Sequence, residues 1–146
     1  MIQGISHDSH YMQLPREVLI GKDVALSVGE TLTRLGFHGP ALVVTGRKVV
    51  SIAGGTVQES LQRAGFKSST ILVANATTDQ VAQVEREIRR VQPDIVVGVG
   101  GGKDIDVAKL SSMKASTRFL SVPTAASHDG IASPLVSMKG LDRPYS

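Results

Sequence analysis

An α/β fold, with a parallel sheet covered on both faces by helices, is what this sequence predicts, and three observations carry the prediction. Short apolar runs alternate with segments of helical periodicity. The runs are apolar throughout rather than at every second position, as strands buried on both faces require. Aromatic residues make up only 3% of the 146 residues and tryptophan is absent. The core must therefore be built from valine, isoleucine, leucine and alanine, which suit such strands and the helices over them.

The elements follow in order. Residues 1–15 are polar and irregular, and Val18 to Ile20 reads as a short strand. A helix is expected from about Asp23, because Val24, Val28, Leu32 and Leu35 recur at helical spacing and Gly36 supplies the stop. Ala41 to Thr45, bounded by Gly39-Pro40 and Gly46, is a buried strand. A helix follows from about Lys48 to Ala64 and ends at Gly65; Ser69 to Val73 is the next strand. Thr77 stands three residues before Gln80, the spacing of a capping box, and Val81, Val84, Ile88 and Val91 form the buried stripe behind it. Gln92-Pro93-Asp94 breaks that helix. Ile95 to Val99 is a strand, Ile105 to Met113 a helix, and Phe119 to Val122 a strand closed by Pro123. Leu135 to Ser146 reads as one strand, a turn and the start of a partner strand, so the chain is expected to stop inside a hairpin.

Composition narrows the function. The net charge is +3, and the densest basic cluster, Arg86, Arg89 and Arg90, is interleaved with Glu85 and Glu87. That pattern describes a solvated helix face rather than a nucleic-acid footprint. Few aromatics also means no stacking platform for single strands. Without cysteine there is no disulfide or thiolate chemistry, and zinc could use only histidine or carboxylates. His7, Asp8 and His10 form such a group, but a mobile terminus accounts for them more simply. Met1 to Arg16 holds no apolar run of signal-peptide length, and no stretch approaches the roughly 18 apolar residues of a membrane span. The expected location is the cytoplasm.

The chemistry lies in two loops. Gly98 to Lys109 (GVGGGKDIDVAK) joins a buried strand to a helix. Glycines let backbone N–H groups approach a phosphate, and the helix behind presents its positive end. Three glycines also make an ordinary tight turn, and two standard motifs fail here. The G-x-G-x-x-G fingerprint would need glycine at Lys103, and the P-loop spacing is one residue short, with Asp104 after the lysine. The second loop, Ser121 to Pro134, packs Ser121, Thr124, Ser127, His128, Asp129 and Ser133 among small residues. Asp129 can accept hydrogen bonds from glycerol or sugar hydroxyls, or close an Asx-turn against Gly130. Read alone, the two alternatives stay open.

Together, GGGKDIDVAK and SVPTAASHDGIASP, with LPREVLIGKDV (Leu14 to Val24) before them, resemble the N-terminal part of the sn-glycerol-1-phosphate dehydrogenase family. Its relatives are glycerol dehydrogenase, metal-dependent alcohol dehydrogenases and dehydroquinate synthase. Asp106-Val107-Ala108-Lys109 and Ser127-His128-Asp129-Gly130 resemble the glycerol-1-phosphate branch more than the others.

The resemblance implies a Rossmann-like NAD(P)-binding domain over 16–134, a flexible segment over 1–15, and a truncated hairpin over 135–146 leading to a helical second domain. It implies that Gly101, Gly102, Lys103, Asp104, Ile105 and Asp106 meet the cofactor, completed by Thr124, Ala125, Ala126, Ser127 and Ser133, and that Asp129 binds substrate. Thr45-Gly46-Arg47 would lie near the adenosine ribose, where Arg47 could pair a 2′-phosphate, so NAD and NADP are both expected. It further implies zinc in the full-length enzyme on ligands beyond Ser146, none of them in this chain, and no catalytic residue here. The expected partners are a small glycerol phosphate or dihydroxyacetone phosphate and, in the full-length enzyme, further copies of the chain. The competing expectations are a glycerol dehydrogenase or related alcohol dehydrogenase, and a non-catalytic nucleotide-binding module.

Overall fold

The computed structural model describes residues 24–124. The strand expected at Val18 to Ile20 and the hairpin expected over 135–146 lie outside them. A short 3-10 turn, Val24–Ser27, leads into helix α1, Val28–Arg34. Then come β1 (Ala41–Gly46), a helical run made of α2 (Arg47–Val49), a π-helical turn (Val50–Gly54) and α3 (Gly55–Arg63), and β2 (Ser68–Val73). Helix α4 (Thr78–Val91), β3 (Ile95–Gly100), α5 (Gly102–Lys114) and β4 (Arg118–Pro123) complete the order. Strand bounds agree with the apolar runs to within a residue. The helix expected at Ile105 instead begins at Gly102, inside the glycine loop.

All strand pairs are parallel, and the order is β2-β1-β3-β4. β1 and β3, the two inner strands, are buried at every residue, so no polar alternation survives in them. Their successive side chains feed two cores. Ala41, Val43, Ile95, Val97 and Val99 face Val28, Leu32, Val57 and Leu61 of α1 and α3. Leu42, Val44 and Val96 face Val81, Val84, Ile88, Val107 and Leu110 of α4 and α5. β2 is an edge of the described sheet and departs from the continuous burial: Ser68 to Ile71 are half-buried and Leu72 is exposed.

Helix ends follow local chemistry. After α1, the Gly36 N–H donates to the Thr33 carbonyl and Phe37 N–H to that of Leu32, with Gly36 at φ +91°. This is the Schellman arrangement, and Leu32 and Phe37 share one core cluster. Gly65 and Phe66 close α3 in the same way. At α4, Thr77 Oγ1 accepts the Gln80 N–H at 3.1 Å, the expected cap. The reciprocal half of the box is not made: Gln80 Oε1 instead accepts the Ala74 N–H at 2.9 Å, tying the loop after β2 to the helix. Replacing Thr77 with alanine is expected to lower stability by about 1 kcal/mol, read as a shift in the urea midpoint; an unchanged midpoint would show that the Gln80 contact suffices.

On the exposed face of α4, Arg89 pairs with Glu85 at 2.8 Å and Arg90 with Glu87 at 2.6 Å. Two members of the basic cluster are thus neutralised within their own helix. Among the described residues no helix is long and apolar enough to cross a membrane.

Candidate functional site

The strand order makes a crevice. From β1 the chain moves outward to β2, then returns to the other side of β1 for β3 and continues outward to β4. Connections therefore leave β1 and β3 in opposite directions, and the carboxyl ends of these two strands form the topological switch point where open α/β sheets bind ligands. Gly46 ends β1 and Gly100 ends β3.

The three glycines do different things there. Gly100, at φ +142°, turns the chain out of the sheet. Gly101 is the extended residue before α5, and its carbonyl accepts the Ile105 N–H at 3.1 Å. Gly102 is the first helical residue, and a Cβ built there meets nothing within 4 Å. The N–H groups of Gly102, Lys103 and Asp104 are those of a first helical turn, with no partner inside the helix. Beside them, the Thr124 N–H donates to the Gly100 carbonyl at 3.0 Å, which brings the start of the second loop against the first. Gly98, earlier in the run, serves packing: its missing Cβ leaves room for Ala108 and the Phe119 ring.

Of the residues expected to meet the cofactor, Gly101, Gly102, Lys103, Ile105, Asp106 and Thr124 are thus gathered at the opening of α5, with Gly102, Lys103 and Thr124 exposed and Ile105 and Asp106 half-buried. Asp104 turns the other way. It is 4% exposed, its carboxyl group lies where Cβ atoms of Gly46 and Gly100 would otherwise stand, and the Gly101 N–H donates to it. As the third helical residue reaching back to the residue before the helix, it forms one half of a capping box. Burial pushes this carboxyl group above the usual aspartate range, against Lys103 and the Gly101 N–H, which pull it down. One turn on, burial pushes the Lys109 ammonium below its usual range, with the Asp106 charge opposing. Ala125, Ala126, Ser127, Asp129 and Ser133 lie outside the described residues, as do His7, Asp8 and His10.

Near β1 the Thr45 hydroxyl is fully buried without a hydrogen-bond partner among the described residues, while Arg47 is exposed at the start of α2. Gly46 and Gly100 are the positions that reading the sequence missed as a pair. Each was visible only as the boundary of an apolar run, and nothing local signals that the two meet one carboxylate.

Such an arrangement can cradle an anion: it offers backbone donors at a helix start, at a sheet's switch point, and among the described residues no atom stands within 4 Å of a Cβ built at Gly102. Comparisons with known proteins give the family. The model of the iron-containing alcohol dehydrogenase family matches residues 19–144. A glycerol-1-phosphate dehydrogenase [NAD(P)+] of Saccharolobus islandicus is 40% identical over 137 residues, 94% of this chain and 39% of the relative. One from Methanosarcina barkeri is 42% identical over 140 residues, 96% of this chain and 39% of the relative. The crystal structure of glycerol dehydrogenase from Schizosaccharomyces pombe superposes with a TM-score of 0.78 at 19% identity, covering 94% of this chain and 35% of that one, and shows the shared fold. The chain spans about two fifths of the length of the relatives it matches. Fold, loop and sequence likeness converge: this chain belongs to the iron-containing alcohol dehydrogenase family.

Proposed function

We propose that this chain is the dinucleotide-binding part, over 16–134, of a cytoplasmic NAD(P)-dependent oxidoreductase that interconverts sn-glycerol 1-phosphate and dihydroxyacetone phosphate for archaeal-type phospholipid synthesis. The observation that carries it is the open helix start at Gly102, beside Gly100 and Thr124, in a chain about 40% identical to proteins named for that activity. The residues present fit a dinucleotide. The diphosphate takes the N–H groups of Gly102 and Lys103, and Lys103 adds a positive charge. Asp104 shapes the loop from behind. Arg47, exposed at the next strand's end, faces a 2′-phosphate if one is present. Thr124 begins the wall that Ala125, Ala126, Ser127 and Ser133 continue, and Asp129 accepts a substrate hydroxyl. When bound, the cofactor supplies the nicotinamide that takes hydride from the alcohol carbon. Among the described residues no group of three or more histidine, aspartate or glutamate side chains could hold a metal ion.

Calorimetric titration tests the reading. The 146-residue chain is expected to bind NAD or NADP weakly, and Gly102→Val to bind it at least about tenfold more weakly still, about 1.4 kcal/mol. Because the valine Cβ points into open space, the unfolding midpoint is expected to stay within about 0.5 kcal/mol of the parent. Equal affinity in the two proteins would refute the loop assignment. For substrate, the full-length enzyme is expected to prefer glycerol 1-phosphate; preference for unphosphorylated glycerol would move it to the glycerol dehydrogenases.

A further inference from the structure

Asp104 is a carboxyl group in an expensive position. It is 4% exposed, Oδ1 has no hydrogen-bond partner among the described residues, and both oxygens stand 2.9 Å from where a Gly46 Cβ would be. The Gly100 backbone closes on it from the other side. It also abuts the loop that the proposed function gives to another anion. Two negative groups at one helix start repel, and the protein can relieve this by neutralising the carboxylate.

We propose that Asp104 is a positioning residue of the glycine loop, and that a dinucleotide diphosphate enters the loop together with a proton on the Asp104 carboxyl group. The inference rests on the dinucleotide reading above. The proton comes from solvent and bonds to Oδ1, the oxygen without a partner, while the Gly101 N–H keeps its acceptor. Gly101 therefore stays placed, and the Gly102 and Lys103 donors stay turned toward the ligand. Burial shifts the carboxyl group in the same direction, against Lys103 and the Gly101 N–H.

The surrounding charges are few. Lys103 is the charged side chain that acts on Asp104 from its own helix, with Asp106 and Lys109 further along it. Among the described residues β1 and β3 carry none, and Arg118 stands at the far end of β4. Arg47 and Lys48 open α2 and Asp79 opens α4 at the same end of the sheet, whereas His38 precedes β1 at the opposite end. The sign follows. If binding raises the carboxyl group's pKa, affinity is highest below the free chain's value, falls as pH rises through it, and levels off above the value in the complex. The steepest possible slope is about tenfold per pH unit for one proton.

The test uses NAD, whose diphosphate does not titrate near neutrality, and calorimetry of the 146-residue chain in buffers of differing ionisation heat. The parent chain is expected to take up protons on binding and to lose affinity at least about threefold across the titration. Asp104→Asn is expected to bind NAD with neither uptake nor slope, and its Gly101 amide resonance to lose the pH titration seen in the parent. NAD binding without proton uptake by the parent overturns the inference and leaves the cofactor reading standing. No NAD binding by the parent at any pH overturns both. If Asp104→Asn does not fold, the parent's proton uptake and its Gly101 resonance still decide.

Discussion

Replacing Gly100 with alanine is expected to destabilise the chain by about 2 to 5 kcal/mol, a large share of an ordinary domain's stability. Two costs add. At φ +142° an L side chain is strained whatever the space around it. The new Cβ would also collide with the Asp104 carboxylate, whose Cγ would stand 2.9 Å away. Asp104 cannot retreat easily, because Gly46 bounds it on the other side and its helix is packed against the sheet. Urea unfolding followed by circular dichroism reads the loss. Adding Asp104→Ala to Gly100→Ala is expected to recover part of it, since the carboxylate collision is relieved while the backbone strain stays. A double variant no more stable than Gly100→Ala alone would show that Asp104 is not wedged between the two strand ends.

The second large effect is expected far from the site, at Gly29→Ala. Helix propensity alone would favour alanine by about 1 kcal/mol. Packing opposes it: a Cβ here would run into the Ser60 backbone carbonyl and stand 2.7 Å from the Ala64 Cβ. The Gly29 N–H also donates to Ser60 Oγ at 2.9 Å, and that hydroxyl donates to the Leu26 carbonyl at 3.0 Å. A backbone carbonyl in a helix cannot swing aside, so α1 would have to lift from α3. A net loss of about 2 kcal/mol is expected, overpacking outweighing propensity. A rise in the unfolding midpoint would mean that α1 and α3 do not approach so closely. In either case NAD affinity measured below the unfolding transition is expected to match the parent, because these helices cover the face opposite α5.

The contrast between Gly29, Gly98, Gly100 and Gly102 shows how much of the site was legible beforehand. All four are glycines. One separates two helices, one admits a helix onto a strand, one turns the chain, and one leaves a donor uncovered. The run Gly100 to Gly102 could be read as an anion loop or as a tight turn, and the resemblance, not the spacing, favoured the first. The resemblance grouped Asp104 with the ligand-facing residues because it carried over the whole motif. On a helix, adjacent residues point about 100° apart, and the third residue of α5 is the one that turns inward.

Element boundaries were legible for a related reason. Apolar runs, helical spacing and the stops at Gly36, Gly65 and Pro93 act through the chain's own few neighbouring residues, so strands and helices can be read in one dimension. The order β2-β1-β3-β4 is not local. Only burial of both strand faces under helices that cross on opposite sides places Gly46 against Gly100, residues 54 positions apart. The sequence by itself determined which residues form the sheet and which loop offers bare amides. Tertiary packing decided that a carboxylate stands behind that loop, because an acid side chain can be held in such a place only when two separate strand ends both lack a Cβ.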